Sequence, residues 1–132
     1  MESKKPKLTG SAPVLLVADV VAAANFYRDK LGFVYERFWG DPPSFCILWR
    51  DRYSLMLSKA EHPTHIAPHH TISHGLWNIY FWVDNVDALF AEFNEKGVKI
   101  GYGLTDQPYG VREFSIHDLD DYEIAFGQEI EP

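Results

Sequence analysis

The sequence has little capacity for disulfide chemistry or for membrane insertion. It contains one cysteine, Cys46, so an internal disulfide is excluded. Its apolar runs are much shorter than the ~20 residues that a transmembrane helix needs. The polar N-terminal segment MESKKPKLTGS also lacks the apolar stretch of a signal peptide. We therefore expect a soluble protein of a reducing compartment, the cytoplasm, with no membrane partner.

Acidic residues outnumber basic ones beyond the N-terminal segment. The chain of 132 residues has a formal net charge of −7, and Lys4, Lys5 and Lys7 all lie near its start. An acidic domain repels phosphate backbones and attracts cationic ligands, which argues against a nucleic-acid partner. Aromatic residues, in contrast, make up 15% of the chain, a wealth of rings for a core or a ligand cavity.

The first half of the chain predicts the order βαβββ. The apolar run 12–18 is typical of a strand, Asp19 is a plausible N-cap, and Gly32 stands where a helix C-terminal glycine belongs. The apolar residues between these caps have helical spacing. Three β-rich segments follow, at 33–39, 44–49 and 53–58.

The second half repeats this order. A strand is predicted at 76–83, and Asn85 and Gly97 cap and end a helix with an apolar face. Three further strands are predicted at 98–102, 111–117 and 122–127. Val17 corresponds to Val83 in this internal repeat. The sequence therefore predicts two βαβββ modules in one domain, an α+β fold.

The histidine-rich stretch HPTHIAPHHTISH separates the two modules and contains five of the six histidines. Pro63 and Pro68 exclude a regular helix there, so we interpret it as a polar linker. The alternative is a loop that folds over a cavity and contributes a histidine or binds metal. The predicted divisions are a basic N-terminal tail at 1–11, a first module at 12–61, the linker at 62–75, a second module at 76–128 and a C-terminal tail at 129–132.

Three segments carry a resemblance to a known family: VADVVAAANFYRDKLGF at 17–33, VDNVDALFAEFNEKGV at 83–98 and GVREFSIHDLDDYEIAF at 110–126. Their order and spacing resemble the vicinal oxygen chelate superfamily of glyoxalases, extradiol dioxygenases and bleomycin-resistance proteins. The resemblance implies curved mixed sheets around a cavity. PVLLVAD and REFSIHD are most similar to the metal-free bleomycin-resistance branch.

The resemblance also implies four metal-ligand positions, one on the first and one on the last strand of each module. In this sequence they fall at Ala12 or its neighbour Pro13, at Met56, at Asn78 and at Ala125. Alanine and proline offer no donor, methionine is a soft ligand and asparagine a weak neutral one. We therefore predict no metal at these positions and no cofactor.

No other pattern assembles a catalytic group. Cys46 lies in an apolar strand, where a thiol is usually inert. His117 and Asp118 are neighbours on a strand, so their side chains should point to opposite faces. The acidic turn 118–121 lacks the spacing of a calcium loop. We predict no catalytic residues, although the sequence does not decide whether the protein is an enzyme.

A ligand cavity is the remaining prediction. Alternation along 76–83 should place Asn78, Tyr80 and Trp82 on the cavity face and Trp77, Ile79, Phe81 and Val83 against the helices. Arg112 could be a polar anchor or a surface residue. The predicted ligand-binding set is Trp39, Trp49, Met56, Asn78, Tyr80, Trp82, Tyr102, Tyr109, Arg112 and Glu123.

The resemblance and this set favour a homodimer that binds a small molecule without metal. The leading hypothesis is sequestration of a bleomycin-like or other planar, cationic antibiotic, since such ligands suit aromatic rings and negative potential. One alternative is a divergent lyase, isomerase or dioxygenase that uses metal from the histidine loop or from a partner subunit. Another is a binder of an unrelated metabolite.

Overall fold

The computed structural model describes residues 4–130 and contains two four-stranded sheets and two helices. The elements follow in the order β1 (Val14–Val17), α1 (Val20–Leu31), β2 (Phe38–Trp39), β3 (Phe45–Arg50), β4 (Tyr53–Lys59), β5 (Ile79–Trp82), α2 (Val86–Glu95), β6 (Thr105–Gln107), β7 (Val111–His117) and β8 (Glu123–Glu129). The predicted α+β fold of two βαβββ units is confirmed.

Each sheet has the same strand arrangement. The first has the order β1-β4-β3-β2 and the second has β5-β8-β7-β6. The first strand of each unit is parallel to the last, and the other pairs are antiparallel. The helix between the first two strands makes the crossover that a parallel pair requires.

Both helices begin at the predicted caps and α1 ends at the predicted glycine, whereas α2 ends at Glu95, two residues before Gly97. The Asp19 side chain accepts a hydrogen bond from the Ala22 N–H at 3.0 Å, and Asn85 accepts one from the Ala88 N–H at 3.1 Å. These side chains satisfy backbone donors that the first helical turn leaves free. Gly32 ends α1 with a left-handed φ of 77°, a conformation that glycine adopts without a steric cost.

One hydrophobic core joins both modules. α1 packs on the inner face of β3 and β4, and α2 packs on β7 and β8. Tyr27, Phe93 and Phe114 are among the largest fully buried side chains. Burial of an apolar side chain of this size contributes about 1.5–3 kcal/mol to stability.

Polar contacts also connect the two modules. The Tyr27 hydroxyl donates a hydrogen bond to Asp118 at 2.6 Å, and the Arg50 guanidinium contacts both carboxylate oxygens of Glu92 at 2.7 and 3.1 Å. The Tyr122 hydroxyl donates to the Leu16 carbonyl. These contacts hold the β7–β8 turn against the first module and α2 against its third strand.

Two predicted strands are wrong in extent. The segment 33–39 forms only β2 at its end, with an isolated bridge between Val34 and Trp49. The segment 98–102 forms a single bridge, Ile100 to Ile116, and the strand beside β7 is β6 instead. Gly101 and Gly103 flank this shift, and glycine weakens strand pairing because it adds backbone entropy and no packing side chain.

The linker and the tails differ in part from the predicted irregular segments. The linker contains two short 3₁₀ turns, Pro63–His65 and His69–Thr71. β8 extends to Glu129, one residue past the predicted end of the second module. Residues 4–11 contain no helix or strand. The rest of the predicted N-terminal tail, residues 1–3, and the last two residues of the predicted C-terminal tail, 131–132, lie outside the described residues. In the part of the chain described, no helix is both long and apolar enough to cross a bilayer.

Candidate ligand-binding site

A buried carboxylate lies at the centre of the second sheet's open face. Glu113 has no solvent exposure and accepts hydrogen bonds from three tyrosine hydroxyls. Tyr80 and Tyr109 donate to one carboxylate oxygen at 2.9 and 2.8 Å, and Tyr102 donates to the other at 2.6 Å. Glu113 and these three tyrosines are here called the Glu113 cluster. Hydrogen bonds to a charged acceptor are short and strong, so they hold the tyrosine rings in place.

The tyrosines of the Glu113 cluster remain protonated donors at neutral pH. Burial, together with the hydrogen bond to Glu113, raises the pKa of Tyr109 to about 12. The same two causes raise the pKa values of Tyr80 and Tyr102 well above the usual value for a phenol. The cluster is therefore a hydrogen-bonded platform and not a source of a reactive phenolate.

Trp77 contacts this cluster, which corrects the predicted orientation. Its indole N–H donates to the Tyr102 hydroxyl at 2.8 Å, and its ring contacts Tyr80 with centroids 4.8 Å apart. The prediction assumed strand alternation from residue 76, but β5 begins only at Ile79. Residues before that point need not alternate, so Trp77 faces the tyrosines instead of the helices.

A cleft of about 550 Å³ lies between the two modules. Asn78, Tyr80 and Trp82 of the predicted set line one side of it, and Tyr53 and Ser54 line the other. Ligand sites for small molecules usually have volumes of roughly 300–1,000 Å³. The cleft is therefore large enough for a flat molecule of two or three rings.

A second cleft, of about 420 Å³, lies on the open face of the first sheet. Trp39 and Trp49 line it together with Ile47, and the Arg37 guanidinium lies 4.4 Å from the Trp39 ring centre. Met56 pairs with Ile47 across β3 and β4 and thus shares this face. The predicted aromatic residues therefore fall on two faces of the single chain.

Two charged members of the predicted set have partners within the chain. Glu123 accepts a hydrogen bond from the Ser115 hydroxyl at 2.8 Å. Arg112 contacts Asp106 at 2.6 Å and Asp87 at 3.2 Å. It alternates with Glu113 on β7 and lies on the side of α2, so the structure does not bring it together with the aromatic residues.

The four metal-ligand positions of the superfamily do not provide a suitable donor set. Ala12 and Asn78 line the cleft between the modules, and the side-chain oxygen of Asn78 accepts a hydrogen bond from the His69 N–H at 2.8 Å. Ala125 is buried between Tyr80 and Ser115, and Met56 lies on the first sheet. Two alanines, a thioether and an engaged amide do not fit a divalent cation.

Potential metal ligands do come together elsewhere. Among residues 4–130, one group of three places its ligand atoms within 4.8 Å of one another: His70, His117 and Asp121.

The thiol of Cys46 is buried, and burial raises its pKa to about 11, so it is no nucleophile at neutral pH.

Sequence reasoning missed Glu113 and the group of His70, His117 and Asp121. Glu113, Ser115 and His117 alternate with apolar residues along β7. That alternation was a signal that the open face of this strand is polar. The tyrosine partners of Glu113 come from separate segments, and no sequence pattern connects them.

The fold is an α+β scaffold built from paired βαβββ units, with clefts on its sheet faces. Residues 11–126 match the family model of the Glyoxalase/Bleomycin resistance protein/Dioxygenase superfamily. The chain belongs to this superfamily. No curated protein matches it.

Solved structures of the same fold include antibiotic-binding proteins and an enzyme. The bleomycin-binding protein of Streptomyces verticillus, solved with copper(II)-bleomycin, is 24% identical, with a TM-score of 0.67 over 97% of this chain and 100% of that one. The antibiotic-binding protein TnmS3 of Streptomyces sp. CB03234 is 23% identical, with a TM-score of 0.70 over 94% and 99%. A glyoxalase-related enzyme of Clostridium phytofermentans is 18% identical, with a TM-score of 0.76 over 97% and 100%. These likenesses establish the shared fold.

Proposed function

We propose that this protein binds a small, planar and cationic molecule on its aromatic sheet faces and acts by sequestration. The supporting observation is the exposure of three tryptophans on these faces: Trp39 at 37%, Trp49 at 44% and Trp82 at 62%. Large rings left exposed together mark interaction surfaces, because their burial releases a large apolar area from water.

The charge of the site favours a cationic ligand. Glu113 accepts a hydrogen bond from Tyr80, whose ring contacts the rings of Trp77 and Trp82, and the chain has a net charge of −7. A cation above an aromatic ring gains roughly 0.5–2 kcal/mol, and a nearby carboxylate adds to that attraction. Two proteins of the same fold bind antibiotics, which supports a planar antibiotic as the ligand class.

We further propose that the active form is a homodimer. In one chain the tryptophans of the first sheet and the Glu113 cluster of the second lie on separate open faces. A second copy could cover the first sheet and close a cleft from both sides. The ligand would then stack between rings of two subunits.

The test is a titration of tag-free protein with metal-free bleomycin and with a cationic anthracycline, followed by tryptophan fluorescence and by calorimetry. We expect saturable binding of at least one compound. Trp49→Ala and Trp82→Ala should each weaken it about tenfold, since loss of a stacking ring costs on the order of 1.4 kcal/mol.

Ile72→Ala is the matched control, because Ile72 is an exposed apolar residue of the linker and not of either cleft. It should bind as the wild type does. Absence of saturable binding by both compounds, or equal affinity in all four proteins, would contradict the proposal.

A further inference from the structure

Two imidazoles and one carboxylate meet beside the turn between β7 and β8. The His70 Nε2 atom lies 3.2 Å from one oxygen of Asp121, and the His117 Nδ1 atom lies 2.9 Å from the other. The two imidazole rings are 5.1 Å apart. The three side chains thus place their ligand atoms within 4.8 Å of one another beside the last hairpin of the second sheet.

The histidine-rich linker is held so that His70 reaches this point. The His69 N–H donates to the Asn78 side chain at 2.8 Å, and the His69 Nδ1 atom lies 3.0 Å from the Trp77 carbonyl. These contacts fix the short turn His69–Thr71 against the start of β5. His70, the next residue, then faces the last hairpin and is only partly exposed.

Asp121 occupies a backbone position that normally favours glycine. Its φ is 69°, in the left-handed region, where a non-glycine residue costs about 1 kcal/mol. Aspartate tolerates this conformation better than most residues. A carboxylate therefore occupies a position where glycine would be less strained, and it contacts two histidines.

A second carboxylate stands behind His117. The His117 Nε2 atom lies 4.0 Å from Glu123, and Glu123 is held by the Ser115 hydroxyl. Gly101 leaves room for the imidazole, because a Cβ atom there would lie 3.1 Å from the His117 ring. Histidine ligands of metals commonly direct their other nitrogen towards a carboxylate, which fixes the ring and raises its basicity.

We infer that His70, His117 and Asp121 form a binding site for a divalent transition metal of the zinc type. Imidazole and carboxylate are common zinc ligands, and tetrahedral bonds of about 2.0–2.1 Å place ligand atoms roughly 3.3 Å apart. The His117–Asp121 and His70–Asp121 separations, 2.9 and 3.2 Å to different carboxylate oxygens, are close to that spacing, and the three ligand atoms all lie within 4.8 Å of one another. Three protein ligands leave the fourth position for water.

The ion would replace hydrogen bonds that the same atoms make without it. The His70 Nε2 atom also lies 2.8 Å from the Asp121 backbone carbonyl, so a small turn of the His70 side chain would exchange that contact for a metal bond. The ion would fasten the linker to the β7–β8 hairpin beside Glu123. This site uses none of the four superfamily ligand positions, and the inference does not rest on the proposed antibiotic binding.

The test is a calorimetric titration of chelator-treated, tag-free protein with Zn²⁺, repeated with Co²⁺ to record the visible spectrum of the bound ion. We expect one ion per chain and a spectrum of low-coordinate Co²⁺. His117→Ala and Asp121→Gly should weaken Zn²⁺ binding at least 100-fold. Asp121→Gly is the more informative variant, because glycine suits the backbone at this position and the turn should persist. Glu123→Gln should weaken binding about tenfold.

The double variant His62→Ala/His65→Ala is the matched control. These two linker histidines are exposed and their rings lie 5.9 Å apart, but neither belongs to the proposed site. The control should bind Zn²⁺ as the wild type does. Binding well below one ion per chain, unchanged affinity in Asp121→Gly, or loss of binding in the control would overturn the site. Antibiotic titrations in chelator report on the proposed function separately, because they contain no free metal.

Discussion

At the scale of single residues, Glu113 positions the tyrosines on the open face of the second sheet. A buried carboxylate is costly unless hydrogen bonds replace its lost water, and here the donors are phenols. Tyr80, Tyr102 and Tyr109 supply those hydrogen bonds and are positioned by them. The shape of the proposed binding face thus depends on one negative charge beneath it.

Glu113→Gln should lower the free energy of unfolding by about 2 kcal/mol, measured by urea denaturation at neutral pH. The glutamine amide would have only one acceptor oxygen. Its NH₂ group would face tyrosine hydroxyls that donate to the carboxylate in the wild type. The raised pKa of Tyr109 should also fall part of the way towards the ordinary value in an absorbance titration, because burial contributes independently of the charge.

Tyr109→Phe is the comparison for this prediction. Tyr109 is mostly exposed and provides one of the three tyrosine hydrogen bonds to Glu113, so loss of its hydroxyl should cost about 1 kcal/mol or less. A Glu113→Gln variant as stable as the wild type would show that the carboxylate does not organise the cluster.

At the scale of elements, the β7–β8 turn is the main polar connection between the modules. Asp118 accepts hydrogen bonds from the N–H groups of Asp120 and Tyr122 and from the Tyr27 hydroxyl of α1. Asp120 accepts one from the Ala18 N–H at 3.0 Å. The turn that follows β7 therefore also closes the junction between β1 and α1.

Burial gives Asp118 a measurable pH dependence. It raises the pKa of Asp118 to about 6, above the ordinary value of 3.8. Between these values the folded state holds more protons than the unfolded state, so stability should fall as the pH rises from 4 to 6. The total change attributable to Asp118 is about 3 kcal/mol. Melting temperatures at pH 4, 5, 6 and 7 measure this slope.

Asp118→Asn should flatten the slope, because the amide cannot ionise and its oxygen can still accept from the two N–H groups. Only a small slope should remain, because burial raises the pKa of Asp120 while arginine partners lower the pKa values of Asp29, Glu92 and Asp106, and these contributions have opposite signs. Asp84→Asn removes one exposed charge and should leave the wild-type slope intact. A wild-type slope of opposite sign would contradict the assignment to Asp118.

Elements with strong local signals could be predicted from the sequence, and those without them could not. The caps Asp19 and Asn85 and the glycine Gly32 define both helices by local chemistry alone. The second strand of the second module was predicted at 98–102 but forms at Thr105–Gln107, because its register depends on pairing with β7. The tyrosines around Glu113 come together through tertiary contacts that leave no periodic pattern.

At the scale of the whole molecule, the outer face of the first sheet carries several exposed apolar side chains. Val14, Leu16, Trp39 and Trp49 are exposed on it, while the opposite face packs on α1. This asymmetry supports the proposed second copy of the chain, because contiguous apolar area of this kind usually marks an interface.

Val14→Glu should therefore convert a dimer into a monomer, as measured by sedimentation equilibrium. Val14 is 57% exposed in the single chain, so a glutamate there should leave the fold intact but bury an unpaired charge in the dimer. Ile72→Glu places the same charge on the exposed linker and should remain dimeric. A monomeric wild type, or a dimeric Val14→Glu variant, would exclude this face as the interface.

The outer strands of both sheets affect how the protein behaves at high concentration. β1, β2, β5 and β6 stand at the edges and contain only two to four residues each. Short edges give another chain few free backbone groups to pair with, which limits open-ended strand addition and amyloid-type growth. Self-association should therefore stop at a closed assembly formed through sheet faces, and the protein should stay in solution at high concentration.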